Sequence, residues 1–379
     1  MYLMHILYRF ILVAFLGGFF LPQSALAQTL YNDYQETLRG EVTNVLEEEE
    51  QPVPGTDATT HYQKIEARIL DGDRTGEIIV IDNDYLELDV GDKFYFNYLV
   101  DISGAEMYAV TNRDRRGALL SLTLIFVLAV LAFGGLQGVR SLIALALSFL
   151  AIFFILIPGL LAGWSPLVAS FLVAATVLFA AIFFTHGFNR ESLVAYSGTM
   201  IAVILTGLFA IFSVHLTNLS GFASDESIYL DFNTGGTLNF TALLLGAIII
   251  GVLGVLDDIA VTQAAVVTEL YQSNKNLSKK EVYRKAIRVG REHVGALVNT
   301  LVLAYTGTSL PLLLLFRLSS SNVEMLLNME LFATEIVRTI VGSIGLILTV
   351  PIVTLLAVWY LKDYTPKHAH HSHSHGHHH

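Results

Sequence analysis

The chain has 379 residues, 54% of them hydrophobic and only 15% charged, with a formal net charge of −11. A soluble domain is nearer one quarter charged, and an acidic chain short of Lys and Arg is a poor partner for nucleic-acid phosphates. The absence of cysteine excludes disulfides, thiolate chemistry and Cys-based metal centres.

Residues 1–27 read as a cleavable secretory signal. His5 and Arg9 precede an apolar run at 10–20 that is too short to span comfortably, and Ala25-Leu26-Ala27 supplies small residues for cleavage near Gln28. An uncleaved first anchor is the alternative.

Residues 28–114 have a different texture. Residues 28–116 hold 20 Asp and Glu against 8 Lys and Arg, which accounts for the negative excess of the whole chain. Short β-branched or aromatic runs at 38–45, 61–70, 76–81, 93–99 and 105–110 alternate with Gly, Pro, Asn and Asp turns. Five such strands predict a small all-β extracytoplasmic domain, an OB-like barrel. The glutamates at 47–50 read as a solvated loop. Asp71, Asp73, Asp82 and Asp84 read as hairpin-turn residues, with a calcium site as the rival reading.

Residues 115–361 predict an all-α polytopic membrane bundle of about seven helices, at 117–136, 141–159, 165–185, 193–215, 239–257, 294–316 and 337–361. Each is long enough to cross about 30 Å of hydrocarbon. After signal cleavage the N-terminus lies outside and the C-terminus in the cytoplasm, which places the protein in the plasma membrane. The loops agree: 258–293 carries Lys275, Lys279, Lys280, Arg284, Lys285, Arg288 and Arg291, whereas 216–238 has Asp225, Glu226 and Asp231 with no Lys or Arg.

The fifth apolar segment continues past Asp257-Asp258 towards Leu270. A helix of that length either tilts and emerges from the bilayer or breaks near the Asp pair. Gly251, Gly254, Asp258, Thr262, Ala265 and Glu269 share one stripe at helical spacing, which predicts a face turned to protein or water. Asp257 lies about 100° round the helix, so the two carboxylates do not face each other on it. An intramembrane carboxylate points to cation or proton coupling. The plainer reading is that the pair marks the cytoplasmic end of the span. Candidate coupling residues are Asp258 and Asp257 with Thr262, Gln263 and Glu269. On the next helix Glu292, Asn299, Thr300 and Tyr305 join them, and Pro311 predicts a kink.

Three stretches carry a family resemblance. The first is Gly251-Val252-Leu253-Gly254-Val255-Leu256-Asp257-Asp258. The second is Gly290-Arg291-Glu292-His293 with Gly295, Asn299, Thr300, Tyr305, Gly307 and Pro311. The third is Glu335 and Arg338 with Gly342, Ser343, Gly345 and Pro351. The chain resembles the YibE/F-like proteins over about residues 38–361. The resemblance implies a bacterial multi-pass membrane protein and brings no agreed substrate or catalytic residue. Its common pattern often has Met-Asp where this chain has Asp257-Asp258.

The tail, 362–379, contains His368, His370, His371, His373, His375, His377, His378 and His379. Imidazoles in a flexible tract suit zinc, nickel or copper. An affinity tag is the competing explanation, although such tags usually run six histidines without a break.

These features predict a permease-like transporter of a small solute or ion, linked to transition metals through the tail. Its partners are the lipid bilayer, the solute, and a membrane-protein partner or a second copy of the chain. The alternative is a non-transporting scaffold or sensor whose outer barrel binds a partner. No enzyme is expected. A protease dyad needs carboxylates meeting across helices, and neither His-Glu-x-x-His nor a Walker loop is present.

Overall fold

A computed structural model describes residues 34–52, 59–100, 104–318 and 322–362. The expected signal segment and the histidine tail lie outside these residues. The chain divides into two compact units, one ending at Ala132 and the other resuming at Phe133. Each is described by itself.

Among the described residues the first unit holds five antiparallel strands: β1 (Tyr34–Pro52), β2 (Thr59–Ile69), β3 (Ile78–Asn83), β4 (Lys93–Val100) and β5 (Glu106–Arg113). Their order in the sheet is β3-β2-β1-β4-β5. Alternation sets the inner face, as it must when the side-chain period is two. Gln63, Ile65, Ala67 and Ile69 of β2 are buried, with Ile79 and Ile81 of β3 and Phe94, Phe96 and Tyr98 of β4. Together with Leu38, Val42, Leu88 and Val110 they form one apolar core.

The result is a half-barrel. Among the described residues β3 and β5 share no ladder bonds, and side chains bridge the gap. Arg74, in the turn before β3, donates to Glu106 Oε2 at 3.2 Å and to Tyr108 Oη at 3.1 Å on β5. Its Nε and Nη2 hold Glu77. Hydrogen bonds from Tyr108 and Tyr98 pull the Glu106 carboxyl below its ordinary range.

One reading changes here, and one rival reading falls. The glutamates at 47–50 belong to β1, which runs 19 residues and pairs with β2 as far as Pro52. Backbone ladder bonds do not depend on side-chain polarity, so a charged strand end pairs as long as its side chains reach water. The aspartates do not converge on a cation either. Asp71 accepts from Arg39 N and Nε at 2.7 and 2.6 Å, and Asp82 accepts from Tyr62 Oη at 2.7 Å.

The helices follow as α1 (Arg116–Ala151), a π-helical turn (Ile152–Leu156), α2 (Ile157–Leu161), α3 (Pro166–Phe179) with a π turn (Ala180–Phe184), α4 (Arg190–Leu216), α5 (Asp225–Thr234), α6 (Phe240–Ser273), α7 (Lys279–Thr308), α8 (Leu310–Leu318), α9 (Val323–Asn328) and α10 (Glu330–Tyr360). Among the described residues five runs are long and apolar enough to cross a membrane, and six if α7 and α8, bent by 64°, count as one.

The expected spans at 117–136 and 141–159 form one helical run of 46 residues, Arg116–Leu161. Gly135 interrupts it with φ 51° and ψ −131°, a conformation open only to glycine. No proline or turn cluster follows, so the helix resumes at once. The segment through Asp257-Asp258 does not break. α6 is continuous for 34 residues, about 51 Å at 1.5 Å per residue. The supposed basic loop 258–293 is largely the ends of α6 and α7. Only residues 274–278 turn, stopped by a Ser278–Glu281 capping box that starts α7. The expected kink falls at Ser309, just before Pro311.

α10 packs against α4, α6 and α7, and α6 also meets α3 and α4. Small residues let these backbones approach. A Cβ added to Gly198 would lie 2.6 Å from Val353 Cγ2, and one added to Gly342 would lie 2.8 Å from Val252 Cγ1. This is how helices associate where lipid removes the hydrophobic drive between them.

Candidate functional site

The helical unit contains a cavity of about 610 Å³ between α1, α3 and α6. Its lining is divided along its length. Leu145, Ile152, Val177, Leu178, Ile250 and Leu253 make one part apolar. Gln137 and Ser141 near the start of this stretch of α1, Thr185 and His186 after α3, and Asp257 and Asp258 of α6 make the other part polar. Six polar side chains from three helices thus line this part, and Ser148 lies among the apolar residues of the other. Gln137 Nε2 donates to the Thr185 carbonyl at 2.9 Å, which fixes α1 to the end of α3 beside the carboxylates. Asp257 Oδ1 accepts the Asp258 backbone N–H at 2.9 Å.

Both carboxylates line the same cavity, although they lie about 100° apart on the helix. The cavity is wide enough to span that angle. Of the predicted stripe, Gly254 and Asp258 line it, while Thr262 is half-buried and Glu269 exposed. Gln263 lies on the opposite, buried side of α6. It is 3% exposed and donates to the Ala286 carbonyl of α7 at 2.9 Å and to Thr354 Oγ1 of α10 at 2.7 Å. It ties three helices together and does not face the cavity.

The expected counterpart on α7 does not assemble around Asp258. Glu292, Asn299 and Thr300 are exposed, and Thr300 Oγ1 bonds back to the Ala296 carbonyl. Tyr305 is half-buried beside Gly251. It lines a second cavity, of about 340 Å³, with Ser309 and Glu335. A third cavity of about 310 Å³ lies against Phe240, Leu244 and Ala247 of α6 and shares Glu335 and adds Arg338. Arg338 Nη1 donates to Glu335 Oε1 at 2.7 Å, while its Nε is shielded and has no hydrogen-bond partner among the described residues. Leu178 and Leu253 of the first cavity's lining belong to a packed apolar core that includes Val203, Ile249, Val252 and Leu346.

Reading the site from α6 and α7 alone misses His186, Gln137 and the Glu335–Arg338 pair. The signals were present. A lone histidine closes an apolar run, and two opposite charges stand at i, i+3 inside another.

A set of long apolar helices with cavities between them suits a multi-pass membrane protein. The sequence model of the YibE/F-like proteins matches residues 122–363, and the chain belongs to that family. The match begins within α1, so the strands lie outside it. No curated protein and no solved structure matches the chain.

Proposed function

We propose that the protein is a permease-like transporter of a small solute or ion, without enzymatic activity. The observation that carries this reading is the cavity bearing Asp257, Asp258 and His186 within an apolar helical unit. Ionisable groups placed there are costly in lipid and usually serve an ion or substrate path. Counting the run Arg116–Leu161, about 69 Å long, as two crossings that meet at Gly135 gives seven spans. The half-barrel then acts as an OB-like domain outside the cell. In that topology Gln137, Thr185 and the Asp pair all lie at cytoplasmic ends, while Tyr305, Glu335 and Arg338 lie at outer ends. One cavity against the middle of α6, at 250–261, and another against its first two turns, at 240–247, suit alternating access. Many transporters carry a broken helix at the binding site; α6 is continuous instead.

The chain has no native cysteine, so single cysteines report accessibility cleanly. Ser141→Cys should react with a membrane-impermeant maleimide in inside-out vesicles and not in right-side-out ones. Ser224→Cys should do the reverse. Exchange of the two patterns would overturn the topology, and with it the inward-facing cavity.

The tail belongs to the same reading. On the cytoplasmic side, His368 to His379 would collect zinc, nickel or copper near the inner ends of α6 and α7. Truncation after Tyr364 removes no described helix. Cells carrying the truncated chain should show altered tolerance to at least one of the three metals. Unchanged tolerance to all three, with no metal lost from the purified protein, would remove the tail from the mechanism.

A further inference from the structure

We propose that Glu48, His61 and Glu87 form a binding site for a divalent transition-metal ion, zinc above all, at the mouth of the half-barrel. One ligand atom from each lies within 4.8 Å of the others. They come from β1, β2 and the β3–β4 connection, so the fold gathers what the sequence keeps apart. The inference is independent of the transport reading.

The strand register explains the convergence. Val42 opposes Ala67 and Val45 opposes Ile65, all on the inner face; a bulge then precedes Glu47, and Glu48 opposes Gln63. Each bulge inserts one residue, and the second puts Glu48, rather than Glu47, on the inner face. His61, two residues before Gln63, shares that face.

Glu87 is positioned by its neighbours. Gln63 is 2% exposed; its Oε1 accepts from Leu88 N at 2.8 Å and its Nε2 donates to the Leu88 carbonyl at 3.2 Å. Asn83 accepts from Leu86 N at 3.3 Å and donates to the Leu86 carbonyl. The residues on both sides of Glu87 are therefore pinned by buried amides. Arg113 donates to the Glu87 carbonyl and directs its charge to Asp92 Oδ2 at 3.4 Å. Such supporting bonds are what hold ligands in place before an ion arrives.

The histidine supplies the pointer to a cation. His61 Nε2 lies 3.0 Å from Glu48 Oε1, yet it is shielded from solvent and makes no hydrogen bond among the described residues. A ring nitrogen facing a carboxylate oxygen at that distance needs a proton or a metal ion between them. An imidazole with two carboxylates is a donor set for zinc and its neighbours. Ligand atoms about 2.0–2.2 Å from a tetrahedral zinc stand roughly 3.3–3.6 Å apart, so a contraction of about 1.2–1.5 Å at most closes the site. Three protein ligands leave a fourth position open, which suits capture and release better than a closed structural centre.

The test uses the full chain purified in detergent, stripped with a chelator and dialysed against zinc, with metal counted per chain by mass spectrometry. All variants keep the C-terminal histidines, so the tail contributes equally to each. His61→Ala and Glu87→Gln should each retain one zinc fewer than the parent, and a tenfold excess of calcium or magnesium should leave the parent's zinc in place. Circular dichroism shows whether His61→Ala keeps its β structure. If it does not, Glu87→Gln, an isosteric change on an exposed loop, decides. Full zinc stoichiometry in Glu87→Gln overturns the site, leaving a His61–Glu48 ion pair. Displacement of the parent's zinc by calcium or magnesium overturns the transition-metal assignment.

Discussion

Asp258→Asn is expected to abolish complementation of a deletion strain while the protein still inserts in the membrane at near-normal abundance. The substitution conserves shape and removes only charge and proton exchange, so it separates chemistry from packing. Asp258 is exposed to the cavity and is not part of the apolar core, so folding has little reason to fail. A carboxylate that binds a cation or carries a proton through the cycle cannot be replaced by an amide. Transport should fall at least a hundredfold, which corresponds to about 2.7 kcal/mol. Asp257→Asn should also be tested, because Asp257 lines the same cavity and caps the Asp258 N–H. A double variant that lost no more than Asp258→Asn alone would show the pair acting as one unit. Full complementation by Asp258→Asn would leave the residue as the polar end of a helix. It would also favour the scaffold or sensor alternative, in which the half-barrel binds a partner.

Gly198→Leu should have the largest effect on stability. Gly198 of α4 faces Val353 of α10, which is fully buried. An added Cβ would meet Val353 Cγ2 at 2.6 Å and the Val353 Cα at 3.2 Å. The side-chain methyl could rotate away, but the backbone atom cannot without moving α10. Overpacking of this kind costs about 3 kcal/mol. By the usual scaling, the unfolding midpoint of the detergent-solubilised protein should drop by roughly 6–12 °C. Adding Val353→Ala should recover part of the loss, since the two positions are in direct contact. An unchanged midpoint for Gly198→Leu would mean that α4 and α10 do not approach as closely as described.

Much of the architecture was legible because it rests on local rules. Period-two alternation marks β2 and β4 so strongly that their ends are placed within a residue or two, and β1 was missed in its first four residues and its charged second half. Long apolar runs find every long helix. The turn at Ser309 follows from Pro311, which lacks an N–H and clashes with the preceding turn. What was misread shares one cause. The span end at 136 and the loop at 258–293 were judged by hydropathy, which reports where a chain leaves lipid and not where a helix stops. A helix stops when its caps are met, and on α6 nothing does so before Asn274.

The site divides in the same way. The sequence by itself determined that Asp258 would sit on a helix face of small and polar residues, because spacing along one helix is a local property. It could not tell that Asp257 shares its cavity, that His186 and Gln137 stand opposite, or that Gln263 points the other way to tie α6 to α7 and α10. It was equally silent on Glu48, His61 and Glu87, whose meeting depends on a bulge in β1 and on two buried amides behind the loop. Side-chain neighbours across helices and strands are decided by packing angle, register and bulges. These are set by the whole core at once, so only the tertiary structure decided which polar groups meet.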